Sequence, residues 1–477
     1  MSHLVTIGLE THVQLKTRTK IFCGCKLEFG GLPNSQVCPV CLGLPGALPV
    51  LNRKVFLLGL RAVLALQGAP STVIKFDRKN YFYPDLPKGY QISQYDSPLG
   101  VGGSVEIRSG DKTKKIRLNR LHLEEDAGKL IHDNSPDASH VDLNRAGTPL
   151  AEIVTEPDLE SPEEAYDYLT NLKAILKSIG VSDCDMEKGH LRCDANVSLR
   201  KNEKDPLGKR VEIKNLNSFK AVKAALHYEI GRQREAVDKG ETIVQETRLW
   251  DDDRQKTISM RSKEQAHDYR YFPEPDLVPF SVAKEEIERE RKNIPELPKE
   301  KMKRFIKDYN LTPYDAHLIT QDDKLAAFFE ECAVHYKSFK KIANWITGPL
   351  LAYINEAPAS DTNEFSSKFL IKLMKMVDDG TISFQAAKDK VFTQMLREKR
   401  DPEEILQEKG LTQVSDNAAI QGWIKEALES NPKVVQDFKS GKESAAMFLI
   451  GQVMKKSRGT ANPGKVRELM IQRLKAL

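Results

Sequence analysis

Acidic and imidazole side chains recur at two-residue spacing in the N-terminal part of the chain. Within residues 5–15, Glu10 and His12 alternate with apolar residues, so on a β-strand they lie side by side on one face. Residues 190–199 repeat the pattern, with Asp194 on the polar face. These side-chain types are ligands for magnesium or manganese, and an acid-lined sheet holding such ions can clamp a phosphoryl group during transfer. The alternative is an ordinary antiparallel sheet with one solvated face.

Two further segments carry acids in a less regular way. In residues 121–126, strict alternation places Glu124 beside His122 and sends Glu125 to the apolar side, although a β-bulge could reverse this. In residues 149–156, Glu152 shares a face with apolar neighbours. Alternation alone therefore does not place Glu125 or Glu152 on a purely polar surface.

Residues 77–85 concentrate cationic and aromatic side chains in a turn-rich stretch that includes Arg78, Lys79 and Tyr81. Such a segment could grip phosphate and stack a base, or it could be a loop pinned by its aromatic rings. Arg192, on the polar face of residues 190–199, is a further phosphate-binding candidate. The sequence has neither a Walker loop nor a Gly-x-Gly-x-x-Gly motif, so a nucleotide site here is not of the P-loop or Rossmann type.

Four of the seven cysteines, Cys23, Cys25, Cys38 and Cys41, fall within nineteen residues. Cys-x-x-Cys with an internal proline is typical of a zinc knuckle, whereas the Cys-x-Cys pair is tighter than usual. Disulfides are the rival interpretation, which the lack of a secretory signal disfavours. Four thiolates would fill a tetrahedral site, so the prediction is a structural zinc ion that stabilises the 23–41 loop without taking part in catalysis.

The elements that must position these residues are of two kinds. A chain of 477 residues exceeds one compact core, and its 40% hydrophobic and 30% charged residues are typical of a folded globular protein. Alternating segments with Gly and Pro dominate residues 1–292, and charged amphipathic stretches follow over 293–400. Residues 401–477 contain Asp-Pro and Asn-Pro pairs at 401, 431 and 462 that predict capped helix starts. The prediction is an α+β fold: a mostly antiparallel domain, then helical and tail domains.

The C-terminal tail is basic. Residues 441–477 carry eight Lys and Arg against two Glu, a net charge of +6, whereas the whole chain carries +5. A basic tail on a neutral body predicts a polyanionic partner, and the alternative is a solvated lysine-rich helix face. No apolar run approaches bilayer length and no targeting segment is visible, so we expect a cytoplasmic protein without membrane contact.

Seven ordered motifs resemble one family. The B subunit of bacterial glutamyl-tRNA(Gln)/aspartyl-tRNA(Asn) amidotransferases carries similar segments, and the resemblance runs from residue 5 to the C-terminus. The motifs in this chain are IGLETHVQL (7–15), FDRKNYFYPD (76–85), YQISQ (90–94), LHLEEDAGK (121–129), VDLNRAGTPL (141–150), LRCDAN (191–196) and DYRYFPEPD (268–276).

The resemblance implies a fold and a reaction. The fold is a cradle domain related to glutamine synthetase, followed by helical and tRNA-contacting tail domains. In the reaction, ATP phosphorylates the side-chain carboxylate of Glu or Asp misacylated onto tRNA, and ammonia displaces phosphate to give the amide. By position, Glu10, His12 and Glu125 resemble the family's magnesium-binding residues, and Glu124, Glu152 and Asp194 lie in motifs of the same pocket. The cysteine quartet occurs in only part of the family.

The resemblance also implies partners. The expected tRNA contacts are in the tail, at Lys455, Lys456, Arg458, Lys465 and Arg467. Cys184, Cys193 and Cys332 show no catalytic histidine partner in sequence, so ammonia should come from another polypeptide. In the family this is the amidase A subunit, which a small C subunit ties to B. The alternatives are a non-enzymatic tRNA-binding scaffold and a free-standing ligase for a small acid, and the second leaves the basic tail unexplained.

Overall fold

The structure is a computed structural model that divides into two compact units, Met1–Pro298 and Lys299–Leu477. The first is mixed α and β and the second is helical, which confirms the predicted α+β class. The finer division at residues 292 and 400 stays a prediction. The residues that the structure describes are 3–109, 112–131, 138–202, 204–260, 269–356, 365–411, 417–442, 444–457 and 461–476.

Strands dominate the N-terminal unit. They are β1 (Leu4–Gln14), β2 (Ala69–Pro70), β3 (Val73–Ile74), β4 (Asp77–Asn80), β5 (Tyr90–Ser93), β6 (Gly100–Val101), β7 (Ser104–Ser109), β8 (Lys112–Glu125), β9 (Lys129–Ile131), β10 (His140–Asp142), β11 (Pro149–Thr155), β12 (Leu191–Arg200), β13 (Val211–Leu216), β14 (Glu246–Asp251), β15 (Lys256–Ser259), β16 (Phe272–Pro273) and β17 (Phe280–Ser281). The helices of this unit are α1 (Arg53–Ala65), α2 (Pro162–Ser178), α3 (Phe219–Asp238) and α4 (Lys284–Lys292).

One large sheet organises this unit, with strand order β15-β14-β13-β12-β1-β11-β8-β6-β2 and β7 paired to β8. All of its pairs are antiparallel except β13 with β14. The central strand β1 alternates as predicted, because Ile7, Leu9 and Val13 are at most 1% exposed and share a core with helix α2. Glu10 and His12 consequently project from the opposite face of the sheet.

The helices that cover the apolar face begin at residues the sequence marks clearly. The Ser161 side chain accepts a hydrogen bond from the Glu164 amide, and Pro162 occupies the first turn of α2. Leu169 and Leu172 of this helix are fully buried in the sheet core. Burial of two leucine side chains stabilises this packing by about 4 kcal/mol relative to leaving them exposed.

Helices make up the described part of the second unit. They are α5 (Pro298–Tyr309), α6 (Pro313–Thr320), α7 (Asp323–His335), α8 (Phe339–Trp345), α9 (Leu351–Glu356), α10 (Ser367–Asp378), α11 (Phe384–Ala386), α12 (Thr393–Glu398), α13 (Pro402–Glu408), α14 (Asn417–Glu429), α15 (Pro432–Lys439), α16 (Ser444–Lys456) and α17 (Pro463–Lys475), with π-helical segments at Ile346–Leu350 and Ala387–Phe392. One hydrophobic cluster runs from Phe305 to Leu406 and another from Ile420 to Leu474. Within the described residues, no helix has the length and apolar character needed to cross a bilayer.

Two of the three predicted capped helix starts in the tail are confirmed. Asp401 accepts a hydrogen bond from the Glu403 amide, and Asn462 accepts from the amides that follow Pro463. The prediction for Asn431 is wrong in part, since α15 begins at Pro432 but the Asn431 side chain does not cap it. Its amide nitrogen instead donates to the Ala427 carbonyl at 2.8 Å, which satisfies the end of α14 rather than the start of α15.

Candidate active site

Three adjacent strands bring two histidines and two glutamates together. Strand register pairs His12 of β1 with Glu152 of β11, and Glu152 with His122 of β8. His12 Nε2 lies 3.4 Å from Glu124 Oε1 and 3.3 Å from Glu152 Oε2. His122 Nε2 lies 3.2 Å from Glu152 Oε2 and 3.7 Å from Glu124 Oε2. Each imidazole therefore contacts both carboxylates, and these four residues form what we call the imidazole–carboxylate cluster.

Opposite charges in the imidazole–carboxylate cluster outweigh the effect of burial on its pKa values. Burial alone would lower the pKa of both histidines, but the carboxylates raise the pKa of His12 above its usual value and that of His122 to about 9. Burial would raise the pKa of the carboxylates, whereas the histidines hold the pKa of Glu124 and of Glu152 below the usual range. The cluster is thus a buried anionic site neutralised by cations.

A second group of acids lies on the neighbouring strands β12 and β13. Glu10 pairs in register with Asp194 and accepts a hydrogen bond from Asn196 at 3.1 Å. Lys214 Nζ lies 2.8 Å from Asp194 Oδ2 and 3.1 Å from Glu212 Oε1. Burial, reinforced by the surrounding carboxylates, raises the pKa of Glu10. The carboxylates of this second group would therefore stabilise an added cation.

Both groups open into one cavity of about 490 Å³. Its wall also includes aromatic rings, among which Tyr95 and Tyr271 stack with centroids 4.1 Å apart. The volume is in the range of small-molecule sites in proteins. The lining residues are Glu10, His12, Lys79, Ser93, Gln94, Tyr95, Arg120, His122, Glu124, Glu152, Asp194, Arg210, Glu212, Lys214, Tyr269 and Tyr271. Predicted site residues Glu10, His12, Glu124, Glu152, Asp194 and Lys79 thus meet in one place.

Glu125 lies apart from the cavity wall. Its carboxylate pairs with the Lys88 ammonium and accepts a hydrogen bond from the Ile92 amide at 2.8 Å. Strict alternation along β8 predicted that Glu124 lies beside His122 and that Glu125 points to the other face of the sheet. Both predictions agree with the contacts of the two side chains.

The remaining predicted phosphate-binding residues are engaged elsewhere. Arg78 makes a bidentate ion pair with Glu274, with Nε–Oε2 and Nη2–Oε1 distances of 2.7 and 2.8 Å. Arg192 pairs with Asp126, and the Tyr81 hydroxyl bonds Gln91 Oε1 at 3.3 Å. None of the three lines the cavity.

Five lining residues lie outside the sequence motifs and were not predicted: Tyr95, Arg120, Arg210, Glu212 and Lys214. A signal was present for most of them. Arg120 continues the two-residue spacing of His122 and Glu124, and Arg210, Glu212 and Lys214 follow the same spacing.

The four cysteines predicted as metal ligands converge. Their sulfur atoms all lie within 4.8 Å of one another, and Cys38 Sγ is 3.9 Å from Cys41 Sγ. Tetrahedral zinc–thiolate bonds of about 2.3 Å would place sulfurs about 3.8 Å apart, so this donor set fits a closed metal site. Lys20 is fully buried beside it, with Nζ 3.6 Å from Cys41 Sγ. Its positive charge would partly offset the charge of four thiolates.

The predicted tRNA-binding residues lie on the last two helices where they are described. Lys455 and Lys456 end α16, and Lys465 and Arg467 are exposed on α17. Lys456 Nζ also pairs with Glu426 Oε2 at 3.0 Å. Arg458 lies outside the described residues.

Together, a mostly antiparallel sheet with an acid- and imidazole-lined cavity and a helical second unit define an α+β protein whose cavity groups side chains of the types that ligate metal ions. Residues 5–288 match the model of the GatB/GatE catalytic domain, and residues 327–474 match the GatB domain. The chain belongs to the GatB family, as its motifs indicated.

Curated relatives extend the match over the whole chain. The B subunit of the aspartyl/glutamyl-tRNA(Asn/Gln) amidotransferase of Carboxydothermus hydrogenoformans is 52% identical over 475 residues, covering 99% of this chain and 98% of that protein. The protein of the same name from Thermoanaerobacter sp. strain X514 is also 52% identical, over 99% of this chain and all of that protein. That from Persephonella marina is 50% identical over 471 residues, covering 98% of this chain and 99% of that protein.

Proposed function

We propose that this chain is the subunit of a tRNA-dependent amidotransferase that activates the side-chain carboxylate of Glu or Asp carried on tRNA(Gln) or tRNA(Asn). The observation that carries the proposal is the imidazole–carboxylate cluster at the wall of the 490 Å³ cavity in a GatB-family chain. A carboxylate oxygen of the substrate attacks the γ-phosphorus of ATP, ADP leaves, and an acyl phosphate forms. Ammonia then attacks the acyl carbon, phosphate leaves, and the nitrogen loses a proton to give the amide.

His12, Glu124 and Glu152 would hold a divalent cation, because their ligand atoms lie within 4.8 Å of one another. His12 would lose its ring proton on binding the cation, whose charge would replace that of the imidazolium. Two carboxylates with one imidazole suit magnesium or manganese, and the imidazole favours manganese slightly more than an all-oxygen site would. When bound, the cation supplies positive charge that stabilises phosphoryl transfer. His122 contacts both glutamates and would orient them toward the cavity.

Ammonia comes from a partner in this proposal. Burial raises the pKa of Cys184 to about 11 and of Cys332 to about 12, and it raises the pKa of Cys193 as well. These thiols stay protonated and buried, so they are unsuited to the nucleophilic role of a glutaminase cysteine. The amidase A subunit supplies the ammonia, and the small C subunit joins A to B.

Three parts of the chain would divide the work. Residues 1–292 form the cradle in which ATP activates the substrate, 293–400 the helical domain, and 401–477 the tail that binds tRNA. A scaffold without catalysis would need neither the buried acids nor the cavity.

The discriminating experiment measures phosphate release from ATP by the reconstituted three-subunit complex, with misacylated Glu-tRNA(Gln), misacylated Asp-tRNA(Asn) or uncharged tRNA. Stimulation by a misacylated tRNA alone supports activation, and equal release in all three reactions contradicts it.

The cysteine cluster is proposed to hold one structural zinc ion. Substituting Cys38 and Cys41 by serine should abolish zinc retention and lower the free energy of unfolding by about 3 kcal/mol, because the loop loses its closing ligands. Phosphoryl transfer should persist at permissive temperature, since none of the four cysteines lines the cavity.

Metal analysis and thermal melting test the zinc prediction, with Cys332→Ala as a control that alters a buried thiol outside the cluster. The control should keep its zinc. Protein purified without chelator that contains no zinc would contradict the assignment.

A further inference from the structure

Three cations line the active-site cavity without a carboxylate at ion-pair distance among the described residues. They are Lys79 of β4, Arg120 of β8 and Arg210, which directly precedes β13. Among the residues that the structure describes, none of the three forms an ion pair. Lys214, in the same wall, contrasts with them because it is held between Asp194 and Glu212.

Within the described part of the chain, no carboxylate lies within ion-pair distance of these cations, and the Arg210 charge acts on the Glu212 carboxylate only from beyond that distance. The Lys79 ammonium lies over the Tyr269 ring, 4.7 Å from its centroid, and 5.8 Å from that of Tyr81. Arg120 Nη1 donates to Asn119 Oδ1 at 3.3 Å, a neutral acceptor. Lys79 and Arg120 are half-buried, and Arg210 is exposed. Partial desolvation of Lys79 and Arg120 without a paired carboxylate is costly, so an anion entering the cavity would be stabilised by them, and the exposed Arg210 would add its charge.

Strand geometry places these charges next to the imidazole–carboxylate cluster. Arg120 is two residues from His122 on β8, so both project from the same face of the sheet. Arg210 precedes Glu212 and Lys214 at the same spacing on the far side of β12. The cavity therefore combines acids that can hold a divalent cation with separate cations that can bind an anion.

Charge and size indicate the kind of anion. A single carboxylate or phosphate would need only one or two of the three cations, whereas a nucleoside triphosphate carries about four negative charges. The cavity of about 490 Å³ is of the size of small-molecule sites in proteins. We propose that Lys79, Arg120 and Arg210 bind the triphosphate of ATP. The proposal rests on the proposed function and replaces Arg78 and Arg192, whose guanidinium groups are held by Glu274 and Asp126.

The test compares Arg120→Gln and Arg210→Gln in the assembled three-subunit complex. Hydrogen bonds to charged groups are strong enough that each variant should raise the Kd for ATP about tenfold or more. The affinity for AMP, which lacks the β- and γ-phosphates, should fall less, and the KM for misacylated tRNA should stay within about twofold. A merely structural role would weaken ATP and AMP binding alike.

Matched controls neutralise cations outside the cavity. Arg117→Gln changes an exposed arginine of β8 that pairs with Asp158, and Lys209→Gln changes the exposed neighbour of Arg210. Both should bind ATP as the unmodified complex does. Thermal melting identifies any variant that fails to fold. Because Arg210 is exposed to solvent, Arg210→Gln should disturb folding less than Arg120→Gln.

Unchanged ATP affinity in both cavity variants would overturn the triphosphate assignment. So would a rise in the KM for tRNA alone, because it would assign these cations to the tRNA backbone. An unmodified complex that binds ATP but forms no amide would refute the proposed function, while the Kd comparison would still decide the triphosphate assignment.

Discussion

Substituting Glu152 by glutamine is expected to lower ATP-dependent amidation by at least about 100-fold in the assembled complex. Glu152 contacts both imidazoles of the cluster and is a proposed ligand of the divalent cation. Glutamine keeps the size of the side chain, so the main change is the loss of negative charge between His12 and His122. His12→Ala and Glu10→Ala should also remove metal-dependent activation, with little change in tRNA affinity.

The matched control for this prediction is Glu156→Gln. Glu156 lies just beyond the same strand, and its carboxylate accepts a hydrogen bond from Asn119 at 2.9 Å without lining the cavity. This variant should keep the parental rate. A Glu152→Gln complex that folds, binds tRNA and amidates at the parental rate would remove the imidazole–carboxylate cluster from the mechanism.

Removal of the tail should lower the affinity for tRNA and should also make that affinity less dependent on salt concentration. Each phosphate contact steepens a log–log plot of affinity against salt by about 0.9 for duplex nucleic acid. If half of the eight basic residues in 441–477 contact phosphate, truncation after residue 411 should flatten the slope by about three to four units. Between about 50 and 200 mM salt, this difference corresponds to about a hundredfold in affinity.

The truncation removes helices α14–α17, which share their own hydrophobic cluster. A second variant, Lys455→Gln with Lys465→Gln and Arg467→Gln, keeps these helices and should flatten the slope by about two to three units. Turnover at saturating tRNA should survive better than affinity in both variants. Equal slopes for the full-length and truncated chains would mean that the tail is a solvated helix face.

Local patterns predicted the elements of the site but not their register. Alternation on β1 correctly placed Glu10 and His12 on the polar face, and alternation on β8 correctly placed Glu124 beside His122. That His12, Glu152 and His122 stand opposite one another depends on the pairing of three strands far apart in sequence. Residue types and spacing along one segment predict which face a side chain takes, but they do not identify the residue that stands opposite it on another strand.

The sequence also did not reveal which cationic side chains form ion pairs within the protein. Arg78 and Arg192 are cationic residues in the right motifs, but their carboxylate partners, Glu274 and Asp126, lie 196 and 66 residues away. Conversely, Arg210 precedes strand β13, whose alternating Glu212 and Lys214 look in sequence like the solvated face of an ordinary strand. Only the fold shows that Arg210 lines the cavity. Which cations remain available to bind an anion follows from tertiary contacts and not from composition.

The most direct test of the central claim follows oxygen from the substrate to phosphate. Glutamate with oxygen-18 in both side-chain carboxylate positions is esterified to tRNA(Gln) and supplied with ATP and glutamine to the reconstituted complex. If the carboxylate is phosphorylated and ammonia displaces phosphate, mass spectrometry should find one oxygen-18 atom in each phosphate released during amide formation. Phosphate free of the label, formed together with the amide, would contradict activation by phosphorylation.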